Sequence, residues 1–144
     1  MSPSEVRSLE AQAWIEKAEG DLASARVLAD AGLDENGLYH CQQAAEKSLK
    51  AFLAWHDTPF RKTHDLKELG RACTAIDASL TALAAQADVL TEYAWKLRYP
   101  GNIYIPETGE IAAMIALAGE VFIAVRMRLS ASTASQESNR GDHQ

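Results

Sequence analysis

Proline and glycine are both scarce in this chain, 4 and 8 among 144 residues, and they fall mainly between apolar runs with helical periodicity. That distribution favours an all-helical domain. Cysteine is scarcer still. Cys41 and Cys73 are the only two, and each sits inside a predicted helix. Two buried thiols cannot make the disulfide framework of a small secreted domain. No window holds 18 uncharged apolar residues, so no membrane span is expected. The N-terminus lacks the charged-then-apolar pattern of a signal peptide, and a cytoplasmic location is the expectation. Recognisable chemistry is also missing. There is no Gly-rich phosphate loop, no His-Glu-x-x-His zinc pattern and no serine in a nucleophile turn. His40, Cys41, His56 and His64 lack ligand spacing, so neither a metal nor another cofactor is expected.

Positive charge is short as well. The net charge of −6 argues against nucleic-acid binding over the whole surface. The deficit is uneven, however. Residues 1–45 carry 3 basic and 8 acidic side chains, residues 46–71 carry 6 and 4, and residues 72–144 carry 5 and 8. Any phosphate contact is therefore expected to be local and to involve the middle segment.

The organising stretch is Leu38 to Trp55, LYHCQQAAEKSLKAFLAW. On a helix, Leu38, Cys41, Ala45, Ser48, Leu49, Phe52 and Trp55 share one broad side, while His40, Gln43, Lys47 and Lys50 form a row on the other. Gln42 falls on the flank of the apolar side, and Gln42 and Glu46 are the candidate structural polar core. A buried amide without partners costs about 1–3 kcal/mol, so something polar is expected to meet this helix inside the bundle. Before it, a first helix runs from about Ser4 to Ala31 with an Ala-rich stripe, and Gly32 stops it. Asn36 is the expected N-cap of the second helix. The second helix ends near His56, stopped by Pro59 in the loop 57–62. Thr63 is the expected cap of a third helix, and a fourth runs from Asp77 or Ser79 to Leu97.

A fifth helix is expected from Glu107 or Thr108 to about Leu129. Between Ile111 and Val125 its only charge is Glu120, and its apolar side chains cover more of the circumference than one core contact needs. Core on one side and a partner subunit on the other is the reading, with Ile111, Ile115 and Phe122 as candidate dimer residues. Residues 1–130 then form one domain, and the Ser-, Gln- and Asn-rich residues 131–144 a disordered tail.

Short connections make this an up-and-down antiparallel bundle of about five helices. Followed in order, that topology sets Lys50, Arg61, Lys62, His64, Arg98, Tyr99 and Tyr104 at one pole. Of these, Lys50, Lys62, His64, Arg98 and Tyr99 are the candidate nucleotide- or phosphate-binding residues: Arg and Lys for the phosphate, Tyr to stack a base. The structural alternative pairs Arg98 with Glu46 or Gln42 and leaves the lysines on a solvated face.

The order YHCQQAAEKSLKAFL, then KTHDLKEL, then KLRYP resembles the HEPN domain family (higher eukaryotes and prokaryotes nucleotide-binding), over about residues 10 to 129. The resemblance implies a dimeric helical bundle, often encoded beside a minimal nucleotidyltransferase in toxin–antitoxin pairs, and in many members a metal-independent endoribonuclease. Ribonuclease members carry an Arg followed by four to six residues and a His. Arg98 matches the Arg, but Tyr99 through Ile105 include no His. The expectation is a non-catalytic dimeric module that binds a nucleotide or RNA phosphate, a nucleotidyltransferase, or both, in an RYP-type branch. The alternative is an endoribonuclease in which His64 replaces the missing His beside Arg98.

Overall fold

The structure is a computed structural model. It describes residues 1–97, 99–101 and 103–141, without the side chains of 134 and 136–141. Among these residues the chain is all helical: α1 Pro3–Asp30, α2 Asp34–Trp55, α3 Leu66–Ile76, α4 Thr81–Ala87 and α5 Glu110–Gly141, with 3₁₀ turns at Ala78–Leu80 and Asp88–Ala94 extending α4 at both ends. This is the expected five-helix all-α bundle. The helix ends have local causes. Ser2 and Glu5 close a capping box on α1, and Gly32 follows it at φ 76°. α2 begins at Asp34 rather than after Asn36, with two acids, Asp34 and Glu35, in its first turn where the helix dipole favours them. Asn36 is therefore inside the helix and caps nothing. Asp65, not Thr63, caps α3 by accepting the Lys67 amide, while Thr63 Oγ1 accepts the Asp65 amide. α5 continues past the expected end at Leu129 to Gly141, because no helix breaker stands between the two.

α2 is the hub. It is buried almost continuously from Gly37 to Ala54, between α1, α5 and the α3–α4 pair. The alanine stripe of α1 packs on it: Ala11, Ala18 and Ala25 are buried to within 1 %. Three helices meet at Gly37, since a Cβ there would stand 3.0 Å from Ile111 Cδ1 and 3.4 Å from the Ala25 carbonyl oxygen. Gly37 is thus a packing residue.

Pairs of touching residues give the helix directions. Ala25 meets Gly37 and Arg7 lies near Asp57, so α1 runs antiparallel to α2. His64 meets Glu46 and Cys73 meets Leu49, so numbers rise together and α3 runs parallel to α2. Ile111 meets Gly37, and Leu129 and Trp55 line one cleft, so α5 descends beside α2 as well. The connection from Asp57 to Asp65 is what produces this arrangement. It reverses at the foot of α2, at Asp57 with φ 52°, but starts no helix there. It climbs back along the bundle, past Trp14 and Lys50, before α3 starts down again. The single basic pole expected from strict alternation is corrected accordingly. Arg61 to His64 lie along the flank of α2, and Tyr104, bonded to Glu110, lies at the Gly37 end, opposite His56.

The dimer candidates also divide. Phe122 is 5 % exposed and belongs to the protomer's own core, and Ile111 packs on Gly37. Ile115 is half-buried against the same core. The outward apolar side chains of α5 are instead Ile123 and Met127. Among the described residues, no helix is long and apolar enough to cross a membrane.

Candidate functional site

Gln42, Glu46 and Lys50 stand one turn apart along α2, and all three are buried. Glu46 is the centre of the group. Its Oε1 accepts from Gln42 Nε2 at 3.1 Å and lies 2.7 Å from His64 Nδ1, and its Oε2 accepts from Lys50 Nζ at 3.1 Å. Gln42 also donates to the His64 carbonyl oxygen at 3.3 Å and accepts from Gln43 Nε2 at 2.6 Å. The network accounts for the amide on the apolar flank: the climbing connection brings it a carbonyl, and its own helix brings it a carboxylate. No buried side-chain nitrogen or oxygen among the described residues lacks a partner, as a low-dielectric interior requires.

Lys50 is therefore bound from within. Besides Glu46, its ammonium lies 5.4 Å from the Trp14 ring centre and 5.7 Å from that of Phe60. The two rings meet edge to face at 6.1 Å. Trp14, Phe60, Lys50 and Lys62 line an open cleft of about 410 Å³, with the acids Glu10 and Asp57 also on its wall. Trp14 is half-buried and forms this wall.

His64 differs from Lys50. Its side chain is 55 % exposed although Nδ1 is tied to a buried carboxylate. Glu46 accepts three hydrogen bonds, so Nδ1 carries the proton, and a neutral ring carries its lone pair on Nε2. A histidine oriented by a carboxylate, with its far nitrogen free to act, has the geometry of an acid–base group. Arg98 lies outside the described residues. Tyr99 is exposed and, among the described residues, makes no hydrogen bond with the Glu46 cluster.

A second polar cluster was not anticipated. Asp21 of α1 is almost buried and lies 2.8 Å from His40 Nδ1 and 2.6 Å from Lys47 Nζ. The row His40, Gln43, Lys47 and Lys50 is packed beneath α1 and the climbing connection, so the alternative that left the lysines on a solvated face does not hold. Its signal was present in the sequence: Asp21 falls in register with Ala18, Leu22 and Ala25 on the inner stripe of α1. The loop after α4 is anchored separately. Tyr104 Oη donates to Glu110 at 2.5 Å, its ring lies edge-on to Tyr93, and the Lys96 ammonium lies 4.9 Å from its centre. The Glu110 carboxylate beside it pushes the Tyr104 hydroxyl well above the ordinary phenol range. Among the described residues, no three His, Cys, Asp or Glu side chains gather as a metal site.

Comparison with known proteins bears on this arrangement. No curated protein matches the chain. The crystal structure of ST0689, an archaeal HEPN homologue, superposes with a TM-score of 0.63 at 24% identity, covering 83% of this chain and 98% of that one, a likeness of fold. The HEPN domain model matches residues 11–128, which include every helix from α1 to the middle of α5. The chain belongs to the HEPN domain family.

Proposed function

We propose that this chain is a non-catalytic, dimeric HEPN module that binds a nucleotide or RNA phosphate beside the Glu46 cluster, and that it associates with a minimal nucleotidyltransferase in a toxin–antitoxin type system. The observation that carries the binding reading is the cleft walled by Trp14 and Phe60 with Lys62 on its lining. An aromatic wall next to a cation suits a base and its phosphate. Lys62 and His64 are the exposed members of the site, whereas Lys50 acts through Glu46 and the two rings. Tyr99, exposed on its loop, is a second stacking candidate, and Arg98 a second phosphate ligand. The absence of His from residues 99 to 105 supports the non-catalytic assignment.

The test is titration of the purified protein with ATP and with a short RNA, read by thermal stabilisation and Trp fluorescence. Binding that weakens in Lys62→Ala and in Trp14→Leu supports the reading. If neither ligand binds, and a nucleotidyltransferase encoded beside the gene fails to co-purify on co-expression, the reading is wrong.

One observation favours the ribonuclease alternative. His64, exposed and oriented by Glu46, offers a base that takes the proton of an RNA 2′-hydroxyl as its oxygen attacks the adjacent phosphorus. The P–O5′ bond breaks to leave a 2′,3′-cyclic phosphate, the 5′-oxygen takes a proton from water, and Arg98 would stabilise the charge that develops. Cleavage of RNA in EDTA that is lost in both His64→Ala and Arg98→Ala supports this reading, and intact RNA at high protein concentration rejects it.

A further inference from the structure

The basic segment 46–71 holds six cationic side chains, Lys47, Lys50, Arg61, Lys62, Lys67 and Arg71. The fold divides them equally. Lys47 is bound to Asp21, Lys50 to Glu46, and Arg61 to both oxygens of Glu68. Among the described residues, Lys62, Lys67 and Arg71 pair with no acid. These three follow one another along the end of the climbing connection and the outer face of α3, and His64 stands exposed between the first two. Lys67 and Arg71 are one helical turn apart and so share a face. Both line the same open groove of about 510 Å³ between α3 and α4. The floor of the groove is made of small side chains, because Gly70 packs directly on Ala84: a Cβ at Gly70 would stand 3.1 Å from the Ala84 Cβ. Asp88 is the acid on this groove, at its α4 side, and it accepts a hydrogen bond from Thr91.

We infer that the outer face of α3 is a track for a phosphodiester chain: a single-stranded RNA passes from the Lys62–His64 corner along Lys67 and Arg71, over the shallow α3–α4 groove. This rests on the phosphate-binding reading of that corner and extends it from one nucleotide to a strand. Three observations carry it. The unpaired cations lie in sequence along one edge. The groove beside them is open and lined by small groups, so a backbone can approach closely. The chain as a whole is acidic, with a net charge of −6 even with these cations counted, so a polyanion is held by local clusters of cations and not by the surface at large.

The experiment is fluorescence anisotropy with an end-labelled 12-nucleotide single-stranded RNA, from 50 to 200 mM salt, set against ATP titrations of the same proteins. Each phosphate released from a lysine or arginine lowers the slope of log affinity against log salt by about 0.7. Lys67→Gln with Arg71→Gln is expected to reduce that slope by about 1.4, to weaken RNA binding at least tenfold at low salt, and to leave ATP affinity unchanged. Ala85→Glu, which sets a negative charge in the groove and touches none of the cations, is expected to weaken RNA in the same direction. Circular dichroism and thermal melts confirm that these surface variants are folded. If wild-type protein binds ATP but not RNA, or if the double variant keeps the affinity and salt slope of wild type, the track is wrong and the phosphate reading of the corner stands. If neither RNA nor ATP binds, both fall.

Discussion

His64 Nδ1 lies 2.7 Å from Glu46 Oε1, across 18 positions of sequence. This contact exists because the chain climbs beside α2 before α3 begins, instead of starting α3 at the foot. It ties an exposed ring to a buried carboxylate that also holds Lys50 and Gln42.

Glu46→Ala removes the shared acceptor of three donors and leaves the Lys50 ammonium buried without a counter-charge. Breaking a buried pair from one side costs about 3–5 kcal/mol. Urea denaturation of Glu46→Ala is expected to show a loss of that order, and His64→Ala a smaller one because its ring is half in water. A Glu46→Ala midpoint equal to that of wild type would show that the cluster contributes nothing to stability.

Phe122→Glu and Ile123→Glu, adjacent in α5, are expected to separate core from surface. The first replaces a core ring, covered by the Arg126 guanidinium at 5.1 Å, with a carboxylate beside Val121 and Val125, and costs about 3 kcal/mol or more. The second replaces an exposed side chain and leaves the protomer folded. If the proposed homodimer uses the outer face of α5, Ile123→Glu is a folded monomer by light scattering where wild type is a dimer. A dimer that survives this change uses another surface.

The thiols of Cys41 and Cys73 are each pushed up to about 12 by burial, with Arg26 opposing the shift at Cys41. The thiolate is the reactive form, so at pH 8 neither is expected to react with a disulfide reagent in the native state. Both react on denaturation. Stoichiometric labelling of the folded protein would contradict the burial.

The Asp77 carboxyl is held below its ordinary value of 3.8 by hydrogen bonds from Ser79 and Arg128, which join the end of α3 to α5. A carboxyl with a lowered folded value stabilises the fold above its unfolded value, and that stabilisation is lost as pH falls through the folded value. The melting temperature is expected to decline as pH drops below about 4. Asp77→Asn starts from a lower melting temperature at pH 7 and declines less steeply on the acid side. Parallel acid-side curves would show that the Arg128 contact carries none of this dependence.

Much of the architecture was legible in residue order. The alanines of α1, the apolar side of α2 and the position of Gly32 are local features, and each acts within a few residues through helix geometry and capping. Gln42 announced a polar core for the same reason: a lone amide at an apolar position must be answered. Asp21 carried the same kind of signal in the α1 stripe. The family motifs in KTHDLKEL and KLRYP were equally visible.

Other features were decided only by the tertiary structure. Nothing local distinguishes a connection that starts α3 at the foot of α2 from one that climbs beside it first, since both need an extended segment around Pro59. That choice alone determines whether His64 meets Glu46 or faces the far end of the bundle. It also separates the cations that neutralise buried acids from those left for a ligand, because a lysine's partner depends on which helix packs opposite. By itself the sequence determined the helices and the residues that bury them. Pairing across long separations, which rests on the packing of three helices around α2, decided the direction of α3, the roles of Lys50 and Phe122, and the exposed edge from Lys62 to Arg71.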